Sequence, residues 1–129
     1  MSDISIKKLA ILLSMATPAQ PELCVMPFVY AAVAGAMECE VEMHFTGSAA
    51  RLLVQGVAAR LDAGNEDGKN LYDHMQEAAR QGVHFIGCSM ALKQHVLAGE
   101  LKIAEFSGTA GAASFIMRTL DPEWRVLCF

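Results

Sequence analysis

Apolar and polar positions along the chain change period several times, and each change marks an element. Ile6 to Ser14 ends in a near-continuous apolar run, the pattern of a central strand covered on both faces. A turn-rich segment, Met15 to Glu22, carries Pro18 and Pro21, and helical spacing begins near Val25, because Pro27 is tolerated only in a first turn. That helix runs to about Met37 and is apolar almost all round, which predicts burial on both sides, in the core and against a partner or under a lid. Glu40 to Thr46 alternates as a second strand, with Val41, Met43 and Phe45 on one face and His44 near its C-terminal end. Gly47-Ser48 starts a short helix through Leu53. Asn70 caps the next helix, where Leu71, Met75, Ala78 and Ala79 share one face and Gly82 ends the element.

Val83 to Ile86 reads as a third buried strand, and helical spacing resumes from Ser89 and stops at Gly99. Leu101 to Phe106 predicts a fourth strand, Ser107 to Gly111 the opening of a helix through about Leu120, and Trp124 to Phe129 a fifth strand. The polar stretch Asp62 to Lys69 predicts a flexible connection. Strands alternating with helices at this spacing predict βαβ units with right-handed crossovers. The expected fold is a single-domain three-layer α/β/α sandwich, flavodoxin-like in appearance, on a mostly parallel sheet of about five strands.

Composition narrows the function. Of 129 residues 53% are hydrophobic and 19% charged, and the mean hydropathy of +0.32 is high for a soluble monomer, so a homo-oligomer is expected. A net charge of −4 with no Lys/Arg cluster argues against nucleic acid or an anionic membrane as partner. The longest uncharged stretch, Leu23 to Met37, is too short to span a bilayer. The N-terminus lacks the apolar run of a secretory signal, so the expected compartment is the cytoplasm. Cys24, Cys39, Cys88 and Cys128 lack the paired spacings of a zinc site or disulfide framework, and no metal or cofactor is expected.

The chemistry centres on Cys88. It falls on the turn from strand to helix, beside free N–H groups that favour thiolate over thiol, with Gly87 allowing a tight turn and Ser89 placed as N-cap. A small buried hydrophobe is the alternative reading. Sites in open parallel sheets form beyond the carboxyl ends of the strands. That edge gathers Cys88 with the turn leading to Cys24, with His44 and Thr46, and with Ser107 and Thr109, whose loop is expected to bind a sulfonate or persulfide. Cys24 is either a second thiol site or a buried structural cysteine. His44 either assists proton transfer or is simply hydrogen-bonded. Cys39 sits at the opposite edge.

The chain resembles the DsrE/DsrF-like sulfur-relay family, which includes the TusD-type subunits. The likeness rests on the opening Lys-Lys-Leu-Ala-Ile-Leu-Leu-Ser strand, Glu-Met-His-Phe-Thr-Gly, the helix from Tyr72, Gly-Cys-Ser-Met-Ala-Leu around Cys88 and the terminal Val-Leu-Cys-Phe, and it covers essentially residues 1–129. The resemblance implies trimers or hexamers and a persulfide on Cys88, exchanged with a small TusA-type sulfur carrier and a downstream acceptor in sulfur oxidation or thiolation. The competing expectations are a non-catalytic structural subunit and a small-ligand or nucleotide-binding module. The Met15 to Leu23 turn lacks glycine-rich phosphate-loop spacing and carries prolines that remove donors, which disfavours the nucleotide reading.

Overall fold

The computed structural model describes residues 7–64 and 68–129. Five parallel strands, β1 (Lys8–Leu13), β2 (Glu40–Phe45), β3 (His84–Cys88), β4 (Phe106–Ala110) and β5 (Trp124–Cys128), form one sheet in the order β4-β3-β2-β1-β5. Four α-helices connect them: α1 (Val25–Ala36), α2 (Leu71–Arg80), α3 (Ser89–His95) and α4 (Ala112–Leu120). The sandwich is the expected α/β/α class, and its strand order decides how unequal the outer layers are. From β1 to β4 each strand is added on the same side of the last, so right-handed crossovers bring α1, α2 and α3 to one face. Only the return from β4 to β5 crosses back, and it places α4 alone on the other.

The thick face holds the core. Ile11, Leu13, Met43, Phe45 and Phe85 point there from alternate strand positions and meet Phe28 of α1 with Leu71 and Met75 of α2. The Phe28, Phe45 and Phe85 rings pack at centroid distances of 5.4–6.0 Å, the last two edge to face. Asn70 caps α2 as the spacing predicts: its Oδ1 accepts from the Asp73 N–H at 2.8 Å while Asp73 Oδ2 accepts from the Asn70 N–H at 2.9 Å. Pro27 lies buried in the first turn of α1. Within a single chain that helix is covered on one side only, since Met26, Tyr30 and Val33 are exposed. The thin face is barer still. No residue of α4 is buried, and Met117 and Leu120 are 66% and 78% exposed.

Three expectations need correction. The fourth strand is Phe106–Ala110, whereas Leu101–Ile103 is a connector tied to Leu53–Gln55 by Ile103 N–H to Leu53 O and Gln55 N–H to Leu101 O, both 2.8 Å. The alternation of Leu101 to Phe106 was outweighed by the open edge of β3, which takes Phe106, Gly108, Thr109 and Ala110 into register, with an irregularity after Phe85. The following helix therefore opens at Ala112 and not within Ser107 to Gly111. Finally, α3 ends at His95, because Val96 is already extended (φ −109°, ψ 118°). Ile6 and the middle of the polar connection, residues 65–67, lie outside the described residues.

Candidate functional site

Cys88 is the last residue of β3 and occupies the N-cap position of α3, so Ser89 is the first helical residue and not the cap. The tight approach here is at Gly87, where a Cβ would lie 2.9 Å from Leu92 Cδ1 and 3.2 Å from Leu53 Cδ1, so glycine lets α3 seat directly beneath the strand end. Burial raises the Cys88 thiol, but the Ala91 N–H, the Thr46 hydroxyl and the Met90 N–H face the sulfur and outweigh it, leaving the thiol below its ordinary range. A neutral thiol is a weak acceptor and closes no capping hydrogen bond with them; the donors act on the charged form. Thr46 stands beside Cys88 because the β2–β3 register pairs Phe45 with Gly87.

Alternation along the strands sends Leu12, His44, Thr46 and Cys88 to the thin face, where they floor a pocket of about 190 Å³ roofed by Phe115 and Ile116 of α4 and closed by Ala110 and Gly111. His44 is 6% exposed and is the buried polar residue of the described core. Its Nε2 lies 3.0 Å from Glu42 Oε1, and its ring meets Phe115 edge-on at 5.3 Å. Glu42 is in turn gripped by Arg118 of α4, whose Nε donates to Oε1 at 3.0 Å and whose terminal nitrogen donates to Oε2 at 2.9 Å. The Arg118 guanidinium also lies 4.2 Å above the Trp124 ring. Burial raises the Glu42 carboxyl, and hydrogen bonds from Arg118 and His44 overcome this and hold it below the usual range. As a carboxylate Glu42 only accepts, so His44 Nε2 carries the proton of that bond.

The residues expected at this edge divide cleanly. His44 and Cys88 share the pocket. Cys24 does not: it is fully buried in the α1-side core, its thiol donating to Thr17 O at 3.3 Å and Gln20 O at 3.6 Å. Burial first, and the Glu22 charge second, push it up to about 11, so it is an inert thiol that ties down the turn before α1. Ser107 and Thr109 lie on β4 and line no part of the pocket. Ser107 Oγ accepts from the Phe85 N–H at 3.0 Å, filling the break in the β3–β4 ladder, and Thr109 pairs with Gly87 in that ladder. The expected anion-binding loop is therefore a strand from Phe106 to Ala110, and of that stretch only Ala110, with the following Gly111, reaches the pocket. Cys39 precedes β2 at the opposite edge, and Cys128 is exposed at the end of β5.

Glu42 and Arg118 escaped the sequence reading. Glu42 is two residues before His44 on an alternating strand, so a shared face was readable; Arg118 is 76 residues away and carried no such signal.

The model of the DsrE/DsrF-like family matches residues 7–129. The chain belongs to the DsrE/DsrF-like family. Solved structures agree in fold. The ychN protein of E. coli superposes with a TM-score of 0.72 at 14% identity, covering 97% of this chain and 100% of that one. Proteins of unknown function follow: MTH1491 of Methanobacterium thermoautotrophicum (TM-score 0.64, 15% identity, 95% and 99% covered) and BT1422 of Bacteroides thetaiotaomicron (0.60, 13%, 95% of both). At these identities the likeness shows the fold alone. No curated protein matches the chain by sequence. Membership of the DsrE-like family indicates a sulfur-relay role at family level. Among the described residues no helix is long and apolar enough to cross a membrane.

Proposed function

We propose that this DsrE-like protein accepts sulfane sulfur on Cys88 and passes it on as a persulfide. The observation that carries the reading is a half-buried thiol, held below its ordinary pKa by three donors, opening into a pocket of about 190 Å³. Transfer needs a thiolate, access and space for an added sulfur, and this position supplies all three. The Cys88 thiolate attacks the outer sulfur of a donor persulfide; a new S–S bond forms at Cys88, the donor S–S bond breaks, and the donor thiolate leaves. An acceptor thiol then repeats the exchange, with no net oxidation. A cytoplasmic TusA-type carrier is the proposed exchange partner.

The protein acts as a homo-oligomer, a trimer or hexamer, on this reading. Support comes from the apolar side chains that α1 and α4 leave in water, with Met26, Tyr30, Val33, Ile116, Met117 and Leu120 all about half or more exposed.

Intact-mass spectrometry after incubation with polysulfide tests the proposal. Wild type gains about 32 Da per sulfur, reversed by a reductant, and Cys88→Ser gains nothing. Equal labelling of both proteins moves the site to another thiol. No labelling of either favours a structural subunit.

A further inference from the structure

The geometry points to His44 as the acid–base partner of Cys88 in sulfur transfer, oriented by Glu42 and Arg118. This deepens the persulfide reading and rests on it. With Nε2–H committed to Glu42, the other ring nitrogen, Nδ1, is the one left to exchange protons. Glu42 cannot rotate away, because Arg118 holds both its oxygens and is itself held against Trp124. The register sets His44 one strand across and two residues back from Cys88 on the same face. A strand spacing of about 4.8 Å and a two-residue rise of about 6.6 Å put their Cα atoms on a diagonal of about 8 Å. Both residues line the same pocket of about 190 Å³. The other elements packed on His44 bring Leu12 of β1, Ile86 and Cys88 of β3, and Phe115 of α4. Its ionisable surroundings are thus Glu42, Arg118 through Glu42, and Cys88.

The protons balance over one cycle. When sulfur arrives, the Cys88 thiolate attacks the outer sulfur of R–S–S–H, the donor's S–S bond breaks, and His44 in its imidazolium form gives the Nδ1 proton to the departing thiolate R–S−. R–SH leaves, Cys88 holds S–S–H, and His44 is neutral. When sulfur departs, neutral His44 takes the proton of the acceptor thiol A–SH, the acceptor sulfur attacks the outer sulfur, and A–S–S–H leaves with Cys88 restored as thiolate and His44 as imidazolium. Each turn relays one proton through His44 from acceptor to donor while the sulfur moves the opposite way with its own hydrogen, so no net proton is gained or lost.

The test follows sulfur gain at Cys88 from a low-molecular-weight alkyl persulfide by quenched-time mass spectrometry, between about pH 5.5 and 9. Wild type is expected to show a bell-shaped profile, and His44→Gln to fall about 100-fold at the plateau and lose its alkaline limb. Imidazole added to His44→Ala restores part of the rate and leaves wild type unaffected. Glu42→Gln falls less and shifts that limb. A His44→Gln protein that keeps the wild-type rate and profile overturns the assignment, as does a His44→Ala protein slowed through lowered melting temperature without imidazole rescue. Failure of the persulfide reading is distinguishable: wild type then gains no sulfur at Cys88. Alkylation of Cys88 by iodoacetamide decides the pairing in that event. A pH profile with an inflection that His44→Gln removes supports it, and identical profiles overturn it.

Discussion

Arg118→Met is the most informative perturbation of the thin face, because α4 buries no residue and depends on this one side chain for its polar anchorage. Methionine keeps the stem that packs on the helix and removes the guanidinium. The variant loses two charge-assisted hydrogen bonds and the stacking on Trp124, and leaves a carboxylate only 14% exposed without its cation. Removing one partner from a fully buried ion pair costs about 3–5 kcal/mol. Arg118 is 34% exposed, so water recovers part of that, and about 2 kcal/mol is expected, with roughly 0.5 kcal/mol more from the cation–π contact. For a domain of this size each kcal/mol moves the melting temperature by about 4 °C, so a drop of about 10 °C is expected at pH 7.

The loss depends on pH with a definite sign. The fold holds Glu42 below its unfolded pKa, so its ion pair contributes stability above the unfolded value, and that contribution disappears as pH falls through the folded one. Without Arg118 the buried carboxyl rises, and once protonated it no longer needs a cation, so the deficit at pH 3 is smaller than the deficit at pH 7. Thermal unfolding by circular dichroism at pH 7 and pH 3, at one protein concentration because assembly couples to stability, measures both deficits. A deficit that is equal at the two pH values, or under about 0.5 kcal/mol at pH 7, refutes the reasoning.

Thr46→Val removes the hydroxyl facing Cys88 at nearly constant volume, so the midpoint of its iodoacetamide alkylation profile moves to higher pH and the rate at pH 7 falls several-fold. An unchanged midpoint shows that the hydroxyl does not stabilise the thiolate. In the same experiment Cys24, raised to about 11 and buried, stays unmodified at pH 8 until the protein is unfolded. Asn70→Ala opens both bonds of the α2 capping box and is expected to cost about 1 kcal/mol, or about 4 °C in melting temperature. Sulfur gain at Cys88 in that variant should match wild type, because α2 packs on the opposite face of the sheet.

Local chemistry was legible in the chain wherever a few neighbouring residues decide it. Asn70 with Asp73 three positions on specifies a helix start, Pro27 specifies a first turn, and the apolar run before Gly87-Cys88 specifies a strand end with a thiol on it. The period-2 pattern of Glu40 to Phe45 put His44 opposite Val41, Met43 and Phe45, on the face where it is found. Local pattern failed at β4. Leu101 to Phe106 alternates better than Ser-Gly-Thr-Ala does, but a strand at a sheet edge is chosen by the partner that needs its hydrogen bonds, and β3 offered its ladder to Phe106–Ala110. Ser107 and Thr109 left the site with that choice. What the tertiary structure alone decided is the pocket: the strand order sends a single helix to the thin face, and Arg118 on that helix reaches back 76 residues to Glu42. Charge pairs of that separation leave no periodicity in sequence, because they form only after the sheet has brought distant segments together.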